Sequence, residues 1–129
     1  MRRVLSPDTV HKPTTVYSHA IAVGDTVYTA GQAPHSLNGD VWPRSDPGGQ
    51  VRRAFDNLGQ VLEAAETDFA HITHMTIFVR SCQLLSQIWS IAAEYLGENH
   101  PAVTIAVVEG LAGTDYLLEL DAVAHLHIQ

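Results

Sequence analysis

His100–His127 reads HPAVTIAVVEGLAGTDYLLELDAVAHLH, two runs dense in β-branched and aliphatic residues on either side of Glu109-Gly110-Leu111-Ala112-Gly113-Thr114-Asp115. The pattern predicts two strands joined by a Gly-rich loop. In the first strand Val103, Ile105 and Val107 share one face and Thr104, Ala106 and Val108 the other. Neither face is properly polar, so this strand is expected to be buried on both sides. In the second, Leu118, Leu120, Ala122 and Ala124 point one way, and Leu117, Glu119, Asp121 and Val123 the other. Glu119 and Asp121 thus stand on one face, roughly 6–7 Å apart at the rise of a strand. Two acids so placed either meet solvent or cationic neighbours, or line a site.

Composition narrows what surrounds this pair. The 129 residues suit one domain, 1–129, with a core of its own. Seven Lys plus Arg against 14 Asp plus Glu give a net charge of −7 with the eight His neutral, and no basic run exceeds Arg2-Arg3 or Arg52-Arg53. Binding to a phosphate backbone is disfavoured, so no nucleic-acid partner is expected. The single Cys82 cannot form an intramolecular disulfide, which fits a reducing compartment. Neither a signal-peptide core nor a membrane-length apolar run is present, so a cytoplasmic protein without a membrane partner is expected.

Working back to the N-terminus, an irregular start carrying Pro7 and Pro13 gives way to VYSHAIAVGDTVYTAGQAP, which alternates around Gly24-Asp25 and predicts a β-hairpin. Gly31-Gln32-Ala33-Pro34 ends it, and His35 to Asp46 forms a loop with a tight turn at Asn38-Gly39 and a short edge strand at Val41-Trp42. Asp46-Pro47 starts a helix of about 18 residues with the core stripe Val51, Ala54, Phe55, Leu58, Val61, Leu62 and Ala65. Gly59 inside it costs roughly 1 kcal/mol, which suggests close approach of another backbone. Ile72 to Arg80 is a central strand, and Gln83 to Leu96 a second helix stopped by Gly97. The resulting order, β-β-α-β-α-β-β, places both helices on one face of a mixed sheet in an α+β fold. The uncovered face calls for another subunit.

Other candidate constellations are thinner. His71 and His74, at odd spacing on a strand, face opposite sides, and His125 and His127 share a face without a third ligand, so no metal is expected. Cys82 has no nucleophile signature around it and reads as a buried, inert thiol. Gly48-Gly49 lack the Lys and Thr of a phosphate loop, and no Ser-centred elbow occurs. Tyr17, at the mouth of the hairpin, suits either packing or contact with a ligand.

The succession Tyr17-Ser18-His19-Ala20-Ile21, Tyr28-Thr29-Ala30-Gly31-Gln32-Ala33-Pro34, Asn57 to Ala64, Glu94-Tyr95-Leu96-Gly97, Pro101-Ala102 and Leu118 to Ala124 resembles the Rid family. Its members are the reactive intermediate deaminases, also called the YjgF or endoribonuclease L-PSP-like family. The resemblance implies a chorismate-mutase-like α+β fold, a homotrimer with clefts between subunits, and no cofactor. Deaminating members carry an Arg after the Pro-Ala dipeptide, where it pairs with the carboxylate of a 2-imino or 2-enamino acid; here that position is Val103. An isopropyl group has neither charge nor donor. The family's C-terminal Glu, associated with the hydrolytic water, aligns with Asp121, its small hydroxyl residue with Ala30, and an Asn on the second helix with Trp89.

These correspondences imply an enzyme acting on a small imine, enamine or related reactive metabolite by hydrolysis, isomerisation or cyclisation, yet not a standard 2-imino acid deaminase. Asp121, Tyr17 and Glu119 are the catalytic candidates, with Asp121 in the cleft and Glu119 nearer its rim. Val103, Ala30, Gly31, Ala33 and Trp89 are the substrate-binding candidates, the backbone amides near Val103 and Ala33 polarising the ligand. The alternative is a trimer that binds a small apolar metabolite without catalysis. A ribonuclease is disfavoured by the acidic charge.

Overall fold

The computed structural model describes residues 1–113 and 115–126. Six strands form one mixed sheet: β1 (Arg2–Leu5), β2 (Ala20–Val23), β3 (Thr26–Thr29), β4 (Ile72–Val79), β5 (Ala102–Val107) and β6 (Leu118–His125), in the spatial order β1-β2-β3-β6-β4-β5. Helices α1 (Pro47–Ala64) and α2 (Leu85–Leu96) pack together on one face. The expected order gains a strand at its N-terminal end. Arg2-Arg3-Val4-Leu5 has no alternation to announce β1, which is an exposed edge strand paired with β2.

The hairpin turns at Gly24, where φ is +57°, and Val23 faces Thr26 across the two-residue turn. β6 inserts antiparallel between β3 and β4, so the crossover through α1 joins strands separated by one place in the sheet. α2 joins β4 to its parallel neighbour β5.

α1 begins where its cap predicts: the Asp46 carboxylate accepts from the Gly49 N–H at 3.1 Å, with Pro47 in the first turn. Its whole stripe, Val51 to Ala65, is buried against Leu118, Leu120, Ala122 and Ala124 of β6 and Met75, Ile77 and Val79 of β4. α2 stops at Gly97, with φ +59°. The residues before it, Cys82–Leu84, form a 3₁₀ turn, so the helix starts two residues later than expected.

Four further expectations are corrected. β5 is the other edge of the sheet rather than a strand buried on both sides; α2 half-covers Val103 and Ile105, while Ala102 and Thr104 are exposed in the single chain. A Cβ on Gly59 would meet the Phe69 ring at 3.0 Å, so a side chain and not a backbone makes the close approach. Cys82 is exposed. His71 lies in the 3₁₀ turn Phe69–His71 ahead of β4, bonded to Asp68 at 2.6 Å, and a register shift separates Ile72 from His74, so simple strand parity does not relate the two imidazoles. The pairing of His125 with His127 involves a residue outside those described.

Register puts Val4, Ile21, Tyr28, Val123 and Phe78 together on the face without helices. Val4 and Tyr28 are about half exposed, at 54% and 50%. Among the described residues no helix is long and apolar enough to cross a membrane.

Candidate functional site

Pairing between β3 and β6 breaks just beyond Tyr28↔Val123 and resumes at Gln32↔Leu120. Three residues, Thr29, Ala30 and Gly31, therefore span a gap that β6 crosses with two, Ala122 and Asp121, and the extra residue bows out as a bulge. Its bonds are met locally. Thr29 Oγ1 accepts from the Ala122 N–H at 3.0 Å, Ala30 N–H donates to His19 O at 2.8 Å, and Gln32 donates to Leu120 O at 2.6 Å. The Gln32 side chain is buried, its amide meeting Ala30 O at 3.3 Å and His19 Nδ1 at 3.2 Å. Ala30 and Gly31 are thus held from both sides.

Against this bulge lies Glu119. A Cβ built on Gly31 would stand 2.6 Å from Glu119 Cδ, so the missing side chain is what admits the carboxyl group. Glu119 is half-buried, and burial, followed by the charge of Asp121, raises its pKa above the ordinary value of 4.5. Asp121 sits one place further along the same face, opposite Thr76 of β4, with Thr104 of β5 beyond it. Glu119 is the acid that meets Gly31 of the bulge.

Tyr116, which the sequence reading did not single out, completes this group. Its hydroxyl is hydrogen-bonded to His35 Nε2, and the two rings meet edge to face with centroids 4.9 Å apart. Burial first, then the charges of Glu119 and Tyr17, raise the Tyr116 pKa, which places those groups within electrostatic reach of its hydroxyl. Tyr17 is 47% exposed and rests edge-on against His19. Burial also lowers the His35 pKa, with His11 and His19 adding to the effect, which favours the neutral imidazole. Ala33 is buried, and its carbonyl accepts from Asn57 Nδ2 at 2.9 Å and from the His35 N–H at 2.8 Å; it supports the bulge from behind.

The remaining candidates lie elsewhere. Val103 and Trp89 line a cavity of about 420 Å³ between α2 and β5, together with Ala92, Ala93, Leu96, His100 and Pro101. Its walls are largely apolar, and His100 Nε2 meets Gly97 O at 3.0 Å. Val103, paired with Met75, is on the helix side of the sheet, whereas Glu119 and Asp121 are on the open side. The predicted residues therefore form two groups within one chain: Tyr17, Ala30, Gly31, Ala33, Glu119 and Asp121 around the bulge between β3 and β6, and Val103 with Trp89 between α2 and the edge strand β5. Among the described residues, no three His, Cys, Asp or Glu side chains converge as metal ligands would.

Residues 9–126 match the protein-family model described as Endoribonuclease L-PSP. A RutC family protein of Pyrococcus horikoshii is 29% identical over 125 residues, 97% of this chain and 98% of that protein. The 2-iminobutanoate/2-iminopropanoate deaminase of Capra hircus is 31% identical over 110 residues, 79% of this chain and 74% of that one. A solved structure from Yersinia pestis, described as a Rid family protein of unknown function, superposes with a TM-score of 0.92 at 27% identity, covering 98% of this chain and 100% of that chain.

Proposed function

Because the chain belongs to the endoribonuclease L-PSP family, the Rid proteins, we propose that it hydrolyses a small imine or enamine lacking the carboxylate of 2-imino acids, in a cleft between the subunits of a homotrimer. The observation that carries the substrate choice is Val103, which lines an apolar cavity at the position where the resemblance implies a carboxylate-binding Arg. Trp89 and Val103 offer this cavity no cation for an anionic substrate.

A composite cleft follows from the division of the candidates into two groups. Val103 and Trp89 of one protomer supply an apolar wall, and Tyr17, Gly31 and Glu119 of the next supply the polar one. The half-exposed apolar residues on the open sheet face favour such an assembly.

Water adds to the carbon of C=N while the nitrogen takes a proton. The carbinolamine then collapses to a carbonyl and releases ammonia. Glu119 is assigned to take the proton from water and return one to the leaving nitrogen, because a carboxyl group with a raised pKa suits both transfers. Asp121 assists by holding that pKa up, and Tyr17 orients the ligand. The ribonuclease activity suggested by the family's description is opposed by the net charge of −7.

The test generates an imine in situ and measures what semicarbazide can still trap. A flavin amine oxidase acting on phenethylamine supplies a carboxylate-free imine, and an amino-acid oxidase supplies a 2-imino acid. Faster clearance of the first supports the proposal. The apolar cavity also favours a second reading, a trimer that binds such a ligand and leaves its hydrolysis rate unchanged.

A further inference from the structure

Two buried amide side chains on α1 hold the segments that carry Tyr116 and His35. Gln50, with no exposed surface, donates to the carbonyls of Arg44 and Asp115 at 3.4 Å each and accepts from the Leu117 N–H at 3.1 Å, so it ties down the residues on both sides of Tyr116. About two turns later Asn57 donates to Ala33 O at 2.9 Å and His35 O at 3.0 Å. One helix thus registers two loops against each other. Gly113 adds to the constraint, because a Cβ there would stand 2.4 Å from the Tyr116 ring. Buried amides are costly unless fully paired, and apolar packing alone would need none of them. What they align is a phenol and an imidazole 81 residues apart.

The direction of that hydrogen bond matters. An imidazole nitrogen is a far stronger acceptor than a phenol oxygen, and the phenol is a good donor. Burial lowers the His35 pKa and raises that of Tyr116, which favours a phenol that gives a proton and an imidazole that receives one. With the His35 proton on Nδ1, the Tyr116 O–H donates to His35 Nε2. Its oxygen then keeps lone pairs free to accept from a ligand, and the charges of Glu119 and Tyr17 act on the same hydroxyl.

We propose that Tyr116 is a further ligand-contacting residue, oriented by His35 so that its oxygen accepts a hydrogen bond, and that this end of the cleft receives the N–H groups of a protonated imine or amine. The inference rests on the imine reading above and deepens it. The recognised feature is a nitrogen cation rather than an anion, and Tyr17, Glu119 and Tyr116 surround it while the apolar part of the ligand turns to Val103 and Trp89.

Benzamidinium and benzoate carry the same ring with opposite charge, and the first presents planar N–H donors as an iminium does. Calorimetry on the full chain at neutral pH is expected to show benzamidinium binding at least about tenfold more tightly than benzoate. Tyr116→Phe should weaken benzamidinium about tenfold or more, the loss of a hydrogen bond to a charged group, and leave benzoate unaffected. Nitrogen-15 NMR should find His35 with its proton on Nδ1, and Tyr116→Phe should shift the Nε2 resonance, which a packing role would not. Equal binding of the two probes, no binding of benzamidinium, or a Tyr116→Phe variant with native affinity would overturn the proposal. If Tyr116→Phe misfolds, the native protein's own probe preference and His35 tautomer decide. Clearance of a carboxylate-free imine at an unchanged rate in Tyr116→Phe would refute this inference alone and leave the imine reading standing.

Discussion

Glu119 occupies the space where a side chain at Gly31 would stand, its Cδ 2.6 Å from the position of a Cβ. Gly31 is exposed and is not among the glycines held at positive φ, so what it supplies is room. Gly31→Ala should fold, because the carboxyl end of Glu119 can swing aside, and should cost less than about 1 kcal/mol. It should nevertheless slow imine hydrolysis about tenfold or more, as misplacing a proton-transfer group does. Thermal melts alongside the semicarbazide assay check both halves.

Glu119 and Asp121 are expected to separate by mutation. Glu119→Gln should abolish turnover with the assembly intact. Asp121→Asn should retain activity and move the acid limb of the pH–rate profile downward, because it removes the like charge that helps to raise the Glu119 pKa. Equal loss in both variants would make the pair structural.

The same raised pKa sets a sign for stability. The folded chain holds the Glu119 proton more tightly than the unfolded chain, so that stabilisation is fully present below the ordinary value of 4.5 and is lost as pH rises through the raised value. Glu119→Gln carries no charge at any pH. Its Tm should exceed the native value at pH 7, and the gap should close as the buffer is acidified to about pH 4.

Asn57 supports the bulge and the Tyr116–His35 pair together. Asn57→Leu leaves the His35 carbonyl without its donor and the Ala33 carbonyl with the His35 N–H, at an expected cost of about 1–3 kcal/mol. Urea unfolding measures it. A variant within about 0.5 kcal/mol of native would show that these carbonyls are met without Asn57.

Periodic elements were legible in the sequence, and residues brought together by topology were not. The stripe of α1, the Gly24 turn and the alternation of Leu118 to Ala124 each follow from local spacing, because one face of each element is buried. β1 escaped because its Arg2-Arg3 pair carries no period. β5 read as doubly buried because composition reports apolarity without saying what covers it. Within the site, Gly31, Glu119 and Tyr17 could be named from strand parity and family resemblance. The contact of Glu119 with Gly31 depends on a bulge that the pairing of two strands creates. Tyr116 and His35 carry no motif, and contacts through the helix between them align them. The amides of Gln50 and Asn57, polar residues interrupting the buried stripe of α1, were the available signal.

The trimer itself is open to a simple check. Light scattering in dilute buffer should give three times the chain mass of 14.0 kDa. A stable monomer at micromolar concentration would remove the composite cleft and the function assigned to it.

The role proposed for Val103 is central, and the most direct measurement compares the native chain with Val103→Arg on 2-iminopropionate generated in situ, semicarbazide reporting the imine that remains. A charged hydrogen bond is worth about 1.5–3 kcal/mol, and each 1.36 kcal/mol is about tenfold in rate. The native chain should therefore clear this imine about ten- to one-hundred-fold more slowly than an Arg-bearing relative, and Val103→Arg should recover activity if Glu119 and Tyr17 are placed for hydrolysis. Native turnover already at the relative's rate would contradict the account, because Val103 would then have no part in choosing the substrate.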